Sequence, residues 1–167
     1  MQIRPATTED SESLLQLRNH YVASSLAVFD EEPLTAETIV RWISSFSLSG
    51  PYRLLVATDG EKIRGFASSQ RYRDHPAFRK TVETSIYTAP GELGKGLGTA
   101  LYESLFSSIA GEDLHRAVVG IALPNDASVK LHRRFGFTEV GVFNEYALKR
   151  GQYISSIWLQ RHLPSAA

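Results

Sequence analysis

The sequence predicts a mixed α/β fold, in which one sheet with parallel and antiparallel pairs is covered by helices on both faces. Three observations carry that expectation. The stretch from Thr81 to Ser108 reads as strand, glycine-rich turn and helix, Ala117 to Leu123 is almost continuously apolar, and Asp59-Gly60 joins two strand-like stretches as a hairpin.

Taken in order, Gln2 to Ala6 is a short opening strand. Thr7-x-x-Asp10 then resembles a capping box, and Leu14, Leu15, Leu17, Tyr21 and Val22 form the apolar stripe of the helix that follows. Thr35 is placed to cap a second helix carrying Ile39, Val40, Trp42, Ile43 and Phe46. Between the two helices lies Ser24 to Pro33, with Phe29 and three consecutive acids, either a solvated loop or a lid over a substrate. Tyr52 to Thr58 and Ile63 to Arg73 are the hairpin strands. Thr81 to Thr88 is rich in β-branched and aromatic residues and reads as a strand, Ala89 to Lys95 as a turn, and from Gly96 onward Ala100, Leu101, Leu105, Phe106 and Ile109 recur at helical spacing. The apolar run Ala117 to Leu123 suits a strand covered on both faces. Pro124-Asn125 opens a helix that stops at Gly136, and strands over Thr138 to Leu148 and Tyr153 to Leu159 complete the chain. A strand, crossover helix and parallel strand flanked by hairpins require a mixed sheet.

The 167 residues suit one domain spanning 1–167, with 18 basic and 18 acidic residues and a formal net charge of zero. No global field therefore favours nucleic acid or an anionic membrane. The absence of cysteine excludes disulfides, thiolate metal sites and a cysteine nucleophile, and no metal is expected. No apolar run approaches a membrane span, and the first ten residues lack the features of a signal peptide, so a cytoplasmic setting is the expectation.

The turn into the central helix carries the chemistry. Unpaired backbone N–H groups at a helix N-terminus attract an anion, and Gly94, Gly96 and Gly98 let the main chain approach a phosphate closely. The alternative is a loop in which the glycines only turn the chain. Lys95 is followed by Gly96 rather than Ser or Thr, so the magnesium ligand of a Walker A loop is missing. A dinucleotide fingerprint would need glycine at 99 or 101, where Thr99 and Leu101 stand.

With Gly96 and Gly98 as its two glycines, the loop resembles the pyrophosphate loop of GNAT-type N-acetyltransferases, Arg/Gln-x-x-Gly-x-Gly/Ala, although Leu93 takes the Arg/Gln position. Further motifs resemble the phosphinothricin and methionine sulfoximine acetyltransferases of that family: Thr81-Val-Glu-Thr-Ser-Ile-Tyr87, Asn19-His-Tyr21, Phe29-Asp-Glu-Glu-Pro33, Asn125 to Phe137 and Trp158-Leu-Gln-Arg161. The resemblance spans nearly the whole chain. It implies the GNAT acyl-CoA N-acyltransferase fold, acetyl-CoA as co-substrate, a small-molecule amine acceptor and a homodimer.

Glu83 is the candidate base, because a carboxylate in mid-strand between Val82 and Ile86 is costly to bury unpaired and burial raises its pKa. On the residues alone, an edge-strand glutamate facing water is the competing reading; the resemblance implies the base. His132 stands where the resemblance implies the group that protonates the departing thiolate, against a plain hydrogen-bonded helix histidine. His20, His115 and His162 read as structural. For the coenzyme, the resemblance points to backbone groups of Ile86, Tyr87 and Thr88 along the pantetheine arm, to Leu93, Gly94, Lys95, Gly96, Leu97, Gly98 and Thr99 around the diphosphate, and to Asn125 and Arg134. Asn125 also reads as a helix cap, and Arg134 alone as a solvated charge. For the acceptor, Arg71, Arg73 and His75 suit carboxylate recognition, against a merely solvated basic loop, and Tyr21, Phe29 and Phe78 match aromatic positions of the family's pocket. Three residues depart from the branch: Tyr153 and Ser155 replace the usual Trp and Asp after the retained Lys149-x-Gly151, and Asp30 replaces an arginine.

The reading is an acetyl-CoA-dependent N-acetyltransferase that acetylates the α-amino group of methionine sulfoximine, methionine sulfone or phosphinothricin by direct transfer. Two rivals stand beside it. One keeps the chemistry and changes the acceptor to another amino acid, a polyamine or a protein N-terminus; the other is a non-catalytic acyl-CoA-binding sensor.

Overall fold

The computed structural model describes residues 1–164. Its strands are β1 (Gln2–Pro5), β2 (Arg53–Asp59), β3 (Lys62–Arg71), β4 (Thr81–Thr88), β5 (Arg116–Ala122), β6 (Thr138–Lys149) and β7 (Gln152–His162). The helices are α1 (Ser11–Ser24), α2 (Ala36–Ser44), α3 (Leu97–Ser108) and α4 (Asp126–Arg134). Two short 3-10 turns, Thr8–Asp10 and Pro76–Phe78, were not expected from the sequence. The seven strands form one sheet in the order β1-β2-β3-β4-β5-β7-β6, with β4 and β5 parallel and every other neighbouring pair antiparallel.

Local chemistry sets the ends of these elements. The Asp10 carboxylate accepts from the Thr7 N–H (2.8 Å) and takes both guanidinium nitrogens of Arg4 at 2.8 and 2.7 Å, which ties β1 to the start of α1. Thr35 and Asn125 accept from Thr38 N and Ser128 N and so cap α2 and α4. Arg150 and Gly151 both have positive φ, 49° and 75°, the geometry that closes β6 onto β7 in two residues.

Helices α1 and α2 cover one face of the sheet at Leu54, Val56 and Phe66; α3 covers the other at Leu55, Ala57 and Ala67. Strands β2 and β3 are thus buried continuously over residues 54–58 and 65–69. The expectation of two covered faces at β5 is corrected. There Ala117, Val119 and Ile121 are buried against Ile109, Leu114 and Phe137, while Gly120 is exposed, because the opposite face of β5 opens on a cleft.

Gly65 shows how tightly β3 and β4 approach. A Cβ there would lie 2.7 Å from the Tyr87 carbonyl oxygen, and a backbone atom cannot swing aside. Gly65→Ala is expected to destabilise the protein by about 1–3 kcal/mol, read as a lower denaturant midpoint at unchanged slope.

Candidate active site

Parallel pairing between β4 and β5 lasts for three residues, Thr81↔Arg116 to Glu83↔Val118, and then stops. Beyond Glu83 the two strands diverge, and from Thr84 to Thr88 the edge of β4 that faces β5 has no sheet partner. The gap is the floor of a cleft of about 960 Å3 that is lined by both diverging strands and by α1, α2, α3 and α4. The register divides it. Gln70↔Glu83, Ser68↔Ser85 and Phe66↔Tyr87 stand on the α1–α2 face, while Thr84 and Ile86 stand on the α3 face.

Glu83 is half-buried on the cleft wall. Its strand is the fourth of seven, which removes the edge-strand alternative. Burial raises the carboxyl pKa above the ordinary glutamate value, and the positive charge of Arg73 pulls it back only in part. A carboxylate in this state binds a proton more readily than a solvated one, as a base near neutrality must.

His132 lies on the other side of the gap and is 1% exposed. Its Nδ1 is 2.7 Å from the Ser128 carbonyl oxygen, which can only accept, so the ring proton sits there. Nε2 is then the acceptor for the Tyr102 hydroxyl at 2.7 Å, and that hydroxyl is 3.3 Å from Thr84 Oγ1 on β4. Burial lowers the imidazole pKa, against an opposing effect of the Ser128 carbonyl. Both nitrogens are engaged, which revises the expectation of a histidine with a proton free for the cleft. Burial also holds the Tyr102 hydroxyl protonated.

At the head of the cleft, α3 starts without a side-chain cap. Gly94 and Gly96 are left-handed, with φ of 80° and 82°, whereas Gly98 is not. Gly98 serves packing instead, since a Cβ there would come within 3.0 Å of Leu131 Cδ2 on α4. Among the described residues the N–H groups of Gly94, Gly96, Leu97, Gly98 and Thr99 have no acceptor, whereas Lys95 N–H bonds to Glu92 O. Such a cluster of unsatisfied donors at the positive end of a helix dipole fits a diphosphate, and the open edge of β4 fits an amide-bearing arm laid beside it as a further strand. Arg134 donates to Thr99 Oγ1 (3.3 Å) and lines the same end, as does Leu93, 75% exposed. Lys95 turns away toward Glu92 at 3.8 Å. The side-chain oxygen of Asn125 caps α4, and the residue also lines the cleft.

The acceptor side departs most from expectation. Tyr21 and Phe29 line the cleft, Tyr21 donating to Thr88 O at 2.7 Å and standing edge-on to Tyr87. The Tyr87 hydroxyl is pushed up to about 12 by burial. Arg71, Arg73, His75 and Phe78 do not line the cleft. Their segment folds on itself: Arg71 pairs with Asp74 at 2.6 Å, Arg73 lies over Tyr72, His75 Nδ1 caps the turn at Ala77 N, and Phe78 packs edge-on to Tyr72. Sequence reasoning missed Arg18, Trp42, Ser68 and Trp158, which do line it. Arg18 had a signal, a charge set one turn after Leu14 and one before Val22 in the apolar stripe of α1.

Lys149 holds the loop above this side. It is 2% exposed, and its ammonium donates to the carbonyls of Val22, Ser25 and Val28 at 2.9, 2.7 and 2.6 Å, closing the end of α1 and the segment leading to Phe29. Lys149→Met strands three carbonyls. It is expected to cost about 1–3 kcal/mol of stability in denaturant titrations and to raise the acceptor KM more than the coenzyme KM.

An α/β sheet split at its one parallel pair, with an uncapped helix start at one end of the split and a half-buried carboxylate on its wall, is the frame of an acyltransferase. The chain belongs to the Acetyltransferase (GNAT) family, whose model matches residues 14–137. It is 49% identical over 165 residues to a phosphinothricin N-acetyltransferase of Streptomyces coelicolor, covering 98% of this chain and 96% of that one. It is 33% identical to an L-methionine sulfoximine/L-methionine sulfone acetyltransferase of Pseudomonas paraeruginosa, covering 96% and 94%. Its fold matches a GNAT superfamily phosphinothricin acetyltransferase from Sinorhizobium meliloti, solved in complex with AcCoA, with a TM-score of 0.87 at 28% identity over 97% of this chain and 88% of that one. The family and branch that the motifs resemble are thereby borne out, as are the mixed-sheet fold and the enzyme class, N-acetyltransferase.

Proposed function

We propose that this chain transfers the acetyl group of acetyl-CoA to the α-amino group of a small amino-acid-like molecule, with methionine sulfoximine, methionine sulfone and phosphinothricin as the candidate acceptors. The observation that carries the reading is the juxtaposition, across one gap in the sheet, of acceptor-less amides at Gly94 to Thr99 and the half-buried Glu83. Acetyl-CoA supplies an acyl group activated as a thioester. The amides of Gly94 and of Gly96 to Thr99 hold its diphosphate, and the open edge of β4 from Ser85 to Thr88 holds its arm and offers N–H groups to charge developing on the acetyl oxygen. Glu83, on the opposite face, takes the proton from the acceptor's ammonium directly or through water, leaving a neutral amine to attack. As the C–S bond breaks, the second proton of the attacking nitrogen passes through water at the cleft mouth to the departing sulfur, and Glu83 gives up its own proton to solvent. His132 acts as a positioning residue that keeps Tyr102 against Thr84. The reading includes a single domain, a cytoplasmic setting with no nucleic-acid or membrane partner, no metal, and a homodimer. The apolar side chains that edge strand β6 leaves exposed, Val140, Phe143 and Leu148, support the second copy.

The test is a thiol-release screen with acetyl-CoA across small amines. Release with the three named acceptors is expected. Thermal stabilisation by acetyl-CoA with no thiol released for any amine would turn the reading into that of a sensor.

A further inference from the structure

The loop that leads into α3 carries a charge opposed to its proposed use. Its glycines Gly91, Gly94 and Gly96 are left-handed, so the backbone of the loop has little shape of its own. From Pro90 to Gly96 every residue is exposed except Glu92, whose side chain is 15% exposed and lines the head of the cleft. A carboxylate is therefore the side chain that roots a loop whose free amides suit an anion.

Two cations hold that carboxylate. Arg64 on β3 donates to Glu92 Oε1 at 3.4 Å and, through its other terminal nitrogen, pairs with Asp59 at 3.2 Å. The Arg64 carbonyl accepts from Ala89 N–H at 2.7 Å, which fastens the first residue of the loop to the same strand. Lys95 Nζ stands 3.8 Å from Glu92 Oε2, beyond hydrogen-bond reach, on an exposed side chain. Arg64 is thus the cation that the sheet fixes and that bonds Glu92 directly. It does not line the cleft, so it acts on the coenzyme end only through Glu92. Lys130 and Arg134, the further cations at this end, stand on α4 and form no ion pair with Glu92 among the described residues. A partly buried charge is costly without a partner, and like charges repel more strongly where water is scarce.

We propose that Arg64 is a positioning residue of the coenzyme site. It anchors the cradle loop through Glu92 and cancels the repulsion that this carboxylate would exert on the diphosphate, so that the Arg64–Glu92 pair sets coenzyme affinity. The assignment rests on the acetyltransferase reading above, because the charge of Glu92 matters only to an anion in the cradle. It needs no contact between Arg64 and the ligand.

Calorimetric titration with CoA compares the wild type with Arg64→Gln, Glu92→Gln and the double variant. Glutamine keeps an amide able to hydrogen-bond across the pair and removes the charge. Arg64→Gln is expected to raise the Kd for CoA about three- to tenfold at low salt, and Glu92→Gln to lower it by a similar factor. The double variant, with both charges gone, is expected within about twofold of the wild type. The Arg64→Gln loss is expected to fall below about twofold at about 0.5 M salt. An unchanged Kd in Arg64→Gln overturns the proposal. So does a loss that the second substitution fails to restore or that salt fails to reduce, since a residue that only braces the loop behaves in that way. Where Arg64→Gln does not fold, Glu92→Gln decides: a lower Kd supports the pair, and an equal or higher one overturns it. A wild type that does not bind CoA sinks the coenzyme reading and this assignment with it, a result distinct from wild-type binding that Arg64→Gln leaves intact.

Discussion

Glu83→Gln is expected to lower kcat by about 10²–10⁴ while leaving acetyl-CoA affinity as it was. Glutamine fills the same space beside Gln70 and Val118 but cannot take a proton from the acceptor's ammonium. In the wild type the acid limb of kcat/KM lies above the ordinary carboxyl range, because burial raises the Glu83 pKa, and in the variant that limb disappears. Stability changes with the opposite sign. A carboxyl whose folded pKa exceeds its unfolded value of about 4.5 keeps its proton longer in the folded state, so its ionisation destabilises the fold as pH rises through the window between the two. Removing that charge makes Glu83→Gln more heat-stable than the wild type at neutral pH, and the advantage vanishes once the pH falls below the unfolded value. A variant that is slower and less stable at neutral pH would mean that Glu83 holds the fold together rather than serving the reaction.

Gly96→Val is expected to weaken acetyl-CoA binding by at least about tenfold, with a smaller effect on turnover at saturating coenzyme. Gly96 is the N-cap of α3 at φ 82°, a left-handed conformation that a β-branched residue resists. A Cβ here would meet no protein atom within 4 Å, so the harm falls on backbone conformation and on close approach of a ligand, not on core packing. Gly98→Val provides the contrast, since its side chain would strike Leu131 and separate α3 from α4. Titration of each folded variant with acetyl-CoA, followed by fluorescence or calorimetry, measures the difference.

The elements themselves were legible in the sequence. The β4 strand spans the residues its β-branched and aromatic composition indicates, and the caps at Thr35 and Asn125 form as their residue types require. Glu83 stood out because a lone carboxylate in an apolar strand is costly. The cleft was not legible, because the divergence of β4 from β5 after Glu83↔Val118 arises from how two strands far apart in sequence pair, and no residue in either strand announces it. Arg18 does not stand out in the sequence, because a charge on an amphipathic helix ordinarily faces water, and only the packing of α2 on α1 brings Trp42 beneath it. Arg71, Arg73 and His75 drew notice as a basic run near the glutamate strand. Arg71 ends β3 and pairs with Asp74, and the segment beyond it bends through the Pro76–Phe78 turn, so none of the three lines the cleft.

In the proposed complex a nucleotide thioester lies in the gap between β4 and β5 with its diphosphate on the start of α3. Amide hydrogen exchange with and without saturating CoA tests it most directly. Slowed exchange is expected at Gly94, at Gly96 through Thr99, and at Ile86 and Thr88, whose N–H groups face the open edge of β4. Protection confined to other segments, with these amides unchanged, would contradict it.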